Sequence, residues 1–106
     1  MSYLLLYYGG SMPSTPAEQA EVLKAWQAWY AALGKAAVKD EGNPFSGKIK
    51  SVGPDGTISN APIARPASGY SIVEAESIDA AAKMAQGCPV LKSGGQIAVF
   101  ETFNAM

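Results

Sequence analysis

Two charged residues sit where a small substrate would find chemistry. Glu74 falls within the apolar stretch Gly69-Tyr70-Ser71-Ile72-Val73-Glu74-Ala75, where partial burial would raise its pKa toward that of a general base. A salt bridge to Lys48 or Lys50 on a neighbouring strand accounts for it equally well. Arg65 is the only arginine and lies between Pro62 and Pro66, so its fork is placed to clamp a ligand carboxylate, or simply to stand in solvent. Trp26 and Trp29 are three residues apart and would wall an apolar ligand pocket or fill a core. Tyr7, Tyr8 and Tyr70 offer hydroxyls to any such cavity, although tyrosine in a strand needs no ligand to explain it. Cys88 precedes Pro89 after an expected helix end, and the negative end of a helix opposes thiolate formation. It reads as a buried structural thiol.

Other chemistries are excluded by composition. The chain of 106 residues has no histidine and one cysteine, which removes imidazole metal ligands, Ser-His and Cys-His catalysis, and an internal disulfide. Gly42-Asn43-Pro44-Phe45-Ser46-Gly47-Lys48 imitates the spacing of a phosphate-binding loop. Ile49 stands where the metal-binding Ser/Thr belongs, and the segment opens a strand rather than a helix. No cofactor is expected. Eight Lys and Arg against nine Asp and Glu give a net charge of −1, too little positive field to hold nucleic acid. The apolar run Tyr3 to Tyr8 is far shorter than the roughly 20 residues of a membrane span, and it lacks the basic flank of a signal peptide. With an unpaired thiol, this points to a cytoplasmic protein.

The elements that must position these residues follow from periodicity. Tyr3 to Tyr8 is apolar at alternate and intervening positions, as in a strand covered on both faces, and stops at Gly9-Gly10. After a turn at Ser11-Met12-Pro13-Ser14, Thr15-Pro16-Ala17-Glu18 gives an N-cap, a proline at the first helical position and a capping-box glutamate. Val22, Leu23, Trp26, Trp29, Tyr30, Leu33 and Ala37 then form a helical stripe. The spacing predicts a helix ending between Leu33 and Lys39, stopped by Asp40-Glu41-Gly42-Asn43-Pro44. Phe45 to Val52 predicts a strand leading into the turn Gly53-Pro54-Asp55-Gly56, with a short return at Thr57-Ile58-Ser59. Asn60 to Ser68 reads as a loop. Gly69 to Glu76 predicts a central strand. Ser77 caps a second helix with Ile78, Ala81, Ala82 and Ala85 inward, ended by Gly87 and Pro89, and Gln96 to Phe103 predicts the last strand.

The order is βαββαβ in one domain spanning residues 1–106. Such a repeat forms a ferredoxin-like α+β fold, a four-stranded antiparallel sheet with both helices on one face. The other face is then bare, lined by Leu4, Leu6 and Tyr8 or by Tyr3, Leu5 and Tyr7, and forms a patch of several hundred Å² that monomers seldom expose. A homodimer joined through this open sheet face is the expectation, against a monomer covered by its long loop.

Several segments together resemble the YCII-related family in its DGPF-type branch. They are Tyr3-Leu4-Leu5-Leu6-Tyr7-Tyr8-Gly9, Ala25-Trp26-Gln27-Ala28-Trp29, Leu33-Gly34 and Gly42-Asn43-Pro44. Later come Gly69-Tyr70-Ser71-Ile72-Val73-Glu74-Ala75 with Ser77 and Ala81, Gly87-Cys88-Pro89-Val90-Leu91 and Gly94-Gly95. The resemblance spans nearly the whole chain and implies a dimeric α/β barrel. It also implies a possible small-molecule enzyme or binding protein, some members resembling cofactor-free lyases. Other branches pair a histidine of the first helix with an aspartate after the first strand, and this chain has no histidine and carries Gly9-Gly10 there. Three functions therefore stand open. One is binding of a small organic molecule between sheet and helices, involving Tyr7, Trp26, Trp29, Arg65 and Glu74. The second is a cofactor-free lyase or isomerase with Glu74 as base and Arg65 holding an anion. The third is a non-catalytic interaction module.

Overall fold

The computed structural model describes residues 1–10, 13–62 and 64–104. Ser11 and Met12 of the expected turn, and Ile63 of the expected loop, lie outside them. In chain order the elements are β1 (Ser2–Tyr8), α1 (Pro16–Leu33), β2 (Val38–Asp40), β3 (Ser51–Val52), β4 (Ile58–Ser59), β5 (Gly69–Glu74), α2 (Ile78–Ala85), a 3-10 turn (Pro89–Ser93) and β6 (Gln96–Glu101). β2, β5, β1 and β6 form a four-stranded sheet in that order, each neighbouring pair antiparallel. This is the expected α+β arrangement of sheet and two helices.

Alternation in β1 decides which way the sheet faces. Tyr3, Leu5 and Tyr7 are buried, with Val73 and Ser71 beside them on β5, and they meet Trp29, Ala81, Ala85, Cys88 and Val90 in the core. The even positions Leu4, Leu6 and Tyr8 therefore line the open face, opposite Phe100, Ala98 and Gln96 of β6 and, for Leu4 and Leu6, Ile72 and Tyr70 of β5. Strand period 2 allows no mixing of these two sets.

The helix entry matches the sequence reading, since the Thr15 side chain accepts from the Glu18 amide. Its exit lies at the early limit of the predicted range. Gly34 adopts φ +90°, ψ 152°, a backbone open to glycine that turns the chain out of the helix. Ala37 is thus beyond the helix, and Val38–Asp40 becomes the second strand of the sheet, paired to β5. The strand expected at Phe45 to Val52 does not join that sheet. Its end, Ser51–Val52, pairs only with Ile58–Ser59, in a separate hairpin closed where the Gly53 amide donates to the Thr57 carbonyl. Phe45 to Lys50, expected as strand, form none, because a period-2 pattern does not supply an edge to pair with.

Asp40 to Pro44, expected to stop the helix, instead turns beneath β5. Gly42 has φ +72°, and a Cβ there would overlap the Tyr70 carbonyl oxygen. Smaller differences occur elsewhere. β5 ends at Glu74 and β6 at Glu101, and on α2 only Ala81 and Ala85 are buried while Ile78 and Ala82 are exposed. Trp29 fastens the two helices, its indole N–H donating to the Met84 carbonyl at 3.0 Å, with Gly87 close against the ring.

Gly42→Ala is expected to lower stability by at least about 2 kcal/mol, because both φ and the overlap oppose it. Gly34→Ala, also at positive φ but with open space around it, is expected to cost about 1 kcal/mol. Urea unfolding of the two variants checks this order.

Candidate functional site

Between α1 and the C-terminal end of β1 lies a cleft of about 690 Å³. Tyr7 forms its floor and Trp26 and Tyr30 its α1 wall, with Val22 and Leu23 nearer the mouth. The opposite rim is backbone-rich, made by Glu41, Gly42, Asn43, Pro44, Ser68 and Gly69, and the 3-10 turn adds Pro89, Val90 and Lys92. The Trp26 ring stands edge-on to Tyr7 at 5.3 Å and to Trp29 at 5.8 Å, an arrangement aromatic quadrupoles favour. The lining is mainly apolar, and its charges, Glu21, Glu41 and Lys92, come from residues exposed to solvent.

A hydroxyl cluster holds the floor in place. Tyr7 Oη donates to Ser71 Oγ at 2.7 Å, and Ser71 Oγ donates to the Glu41 carbonyl at 2.7 Å. Tyr30 Oη donates to the same carbonyl at 2.9 Å and lies 3.0 Å from Ser71 Oγ. One carbonyl oxygen with two lone pairs thus accepts two of the three protons, and Ser71 takes the third. Burial drives the Tyr7 pKa well above that of a free phenol, more than the Ser71 hydrogen bond lowers it. Tyr30 shifts the same way for the same cause. Burial also pushes the Cys88 thiol up to about 11, against smaller opposing hydrogen bonds to the Val90 backbone and Tyr7. At neutral pH these groups are uncharged hydrogen-bonding partners, and Cys88 is no nucleophile.

The structure brings Tyr7 and Trp26 to the cleft. Trp29 stands behind them, 6% exposed, as packing between the helices. Arg65 and Glu74 do not face the cleft. Arg65 lies over the Tyr8 ring, 5.6 Å from its centroid, and donates to Gln96 Oε1 at 3.0 Å, both on the open face. Glu74 shares that face by strand parity, at the far end of β5. It accepts from the Met1 amino group and from Ser2 Oγ at 3.1 Å, and not from Lys48 or Lys50. Those bonds lower its pKa below the usual carboxylate value, the amino group first and Ser2 second. A lowered pKa is the reverse of what a general base requires, so the Glu74–Arg65 proton-abstraction scheme loses its geometry. Sequence reasoning misses Tyr30 and Glu41 of the cleft lining and Ser71, fully buried beneath it. Tyr30 belongs to the helical stripe, and the other two give no signal in sequence, because one acts through its backbone carbonyl and the other is a strand serine.

No family model matches this sequence, and no curated protein matches it. Among solved structures, the chain is similar to 5-chloro-2-hydroxyhydroquinone dehydrochlorinase (TftG) from Burkholderia phenoliruptrix AC1100, in complex with 2,5-dihydroxybenzoquinone. The TM-score is 0.58 and the identity 21%, over 98% of this chain and 94% of that one. The likeness is one of fold. Among the described residues no helix is long and apolar enough to cross a membrane, and no group of three or more acidic or cysteine side chains is placed to hold a metal ion.

Folded Cys88 keeps its proton to about pH 11, whereas an unfolded thiol loses it near about 8.5. The unfolded chain binds fewer protons across that window, so stability falls as pH rises through it. The melting temperature is expected to drop between pH 8.5 and 11, with Tyr7 and Tyr30 extending the fall above pH 10. At pH 8 Cys88 should react with a disulfide reagent only on unfolding. Ser71→Ala removes the acceptor for Tyr7 and should cost about 1–3 kcal/mol, measured by denaturant unfolding.

Proposed function

We propose that this chain is a YCII-related protein of the dimeric α/β-barrel type that binds a small organic molecule in the cleft between α1 and the sheet. The observation that carries this reading is the cleft of about 690 Å³, floored by Tyr7 and walled by Trp26 and Tyr30. Its volume falls within the about 300–1,000 Å³ usual for ligand sites, and apolar walls with a few fixed polar groups are the usual lining. The edge-on aromatic faces suit a flat ring, and the phenol oxygens of Tyr7 and Tyr30, whose protons go to Ser71 and to the Glu41 carbonyl, keep lone pairs that suit a ring bearing hydroxyl groups. The quinone held by the similar dehydrochlorinase structure is a molecule of that kind.

Binding is tested by recording the Trp26 indole N–H resonance while hydroquinone, 2,5-dihydroxybenzoquinone and indole are added in turn. At least one should shift that resonance saturably, and Trp26→Ala should weaken the same ligand by tenfold or more. A panel that leaves the resonance unmoved, or affinity that survives Trp26→Ala, would sink the reading.

The homodimer forms through the open sheet face. Leu4, Leu6, Ile72 and Phe100 share that face, and Phe100 is 49% exposed in the single chain. A contiguous apolar sheet face is of the kind that marks an interface. Sedimentation should show a dimer for the natural sequence and a monomer for Leu6→Lys with Phe100→Lys, and an unmodified chain sedimenting as a monomer would rule the interface out. We also propose a cytoplasmic location, on the short apolar run Tyr3 to Tyr8 without a basic flank and, in addition, the unpaired Cys88 thiol.

A further inference from the structure

The segment from Phe45 to Pro62 is built as an arm. Its described hydrogen bonds run within itself, from Ser51 to the Ala61 carbonyl and from Lys50 to Asn60, except at the root, where the Phe45 amide donates to Ser68. The radius of gyration is 15.3 Å and the extents are 44 × 40 × 19 Å; a compact chain of this length has a radius near about 13 Å. Val52 and Ile58 are cross-strand partners on one ribbon face, yet they are 60% and 68% exposed. A two-stranded ribbon is marginal in water without a surface to cover its apolar side.

We propose that this arm closes the ligand cleft of a second copy of the chain. The argument rests on the reading of the cleft as a ligand site in a sheet-to-sheet dimer, and on complementarity between the two surfaces. The arm presents Val52 and Ile58 with Lys48 and Lys50 behind them. The cleft lining includes Leu23, itself 57% exposed, with the carboxylates Glu21 and Glu41 and one ammonium group, Lys92. Apolar meets apolar, and two ammonium groups meet a lining whose carboxylates outnumber its one ammonium. Reach is sufficient as well. One leg of the arm, from Phe45 to the turn at Gly53, spans up to about 30 Å when extended, more than the roughly 10 Å between packed sheets plus a roughly 10 Å helix layer. The root of the arm forms part of the cleft rim of its own subunit, at Pro44 and Ser68. One polypeptide thereby frames its own site at the rim and covers its partner's site with the tip.

Leu23→Cys combined with Ile58→Cys, in the full chain under mild oxidation, tests the contact without any ligand. A disulfide-linked dimer is expected, with neither single variant giving it. A disulfide within one chain would place the arm over its own cleft and overturn the proposal, as would no cross-link in a folded protein. The functional half uses Nile red, a neutral apolar dye, as the probe. Replacing residues 51–59 by two glycines should weaken dye binding by fivefold or more. Mixing that variant with Trp26→Ala, after unfolding and refolding together, should restore tight sites, because the intact cleft of one subunit then receives the intact arm of the other. Unchanged dye binding by the shortened chain overturns the arm's role while leaving the cleft reading intact. No dye binding by the unmodified chain counts against the cleft, and the cross-link then decides the arm independently.

Discussion

The hydrogen bonds that Tyr7, Tyr30 and Ser71 direct onto one another and onto the Glu41 carbonyl constrain the rest of the molecule. They join β1, α1, β5 and the turn after β2 at one point. Left without acceptors, the buried Tyr7 and Ser71 hydroxyls would each carry a desolvation cost of about 1–3 kcal/mol, and the half-buried Tyr30 hydroxyl less. The turn from Asp40 to Pro44 therefore has to bring a carbonyl under β5, and Gly42 is what lets it pass beneath the Tyr70 carbonyl. Where that turn goes, the cleft rim goes too. The cleft is in this sense a consequence of satisfying three hydroxyls inside a small core.

The two faces of the sheet divide the labour. The helix face keeps its polar groups neutral, since burial raises the pKa values of Tyr7, Tyr30 and Cys88. The open face holds the charged residues, with Arg65 over Tyr8 at one end and Glu74 bound to the amino terminus at the other. The cleft between sheet and helices presents aromatic rings, and its charged side chains belong to solvent-exposed residues. The carboxylates Glu21 and Glu41 stand at the mouth, where solvent screens them. The similar dehydrochlorinase structure shows the same fold at 21% identity, and identity that low speaks to architecture and not to activity.

Much of the architecture was legible along the chain. Thr15-Pro16-Ala17-Glu18 marked the first helix because capping is a local interaction. Ser77 marked the second in the same way. Tyr3 to Tyr8 declared a central strand because both of its faces are apolar, and the βαββαβ order then left few topologies. Trp26 and Tyr7 stand out as candidate pocket residues because aromatic side chains announce themselves by type, and both line the cleft.

The remainder needed tertiary contacts. Residue types could not say which face of β1 meets the helices, since Leu4 and Leu5 are equally apolar; only the packing of Tyr3, Leu5 and Tyr7 against Trp29 and Ala81 settles it. Nor could they show that Glu74 and Arg65 share the far face, because strand parity becomes a direction only once the sheet has a covered side. The second strand was misplaced because Val38–Asp40 is three residues long, too short for a period to register. Composition excluded imidazole chemistry and a disulfide outright, since those need residues the chain lacks. The hydroxyl cluster under the cleft is built from a backbone carbonyl, a strand serine and two phenols drawn from four segments, and only folding brings such groups within hydrogen-bond distance.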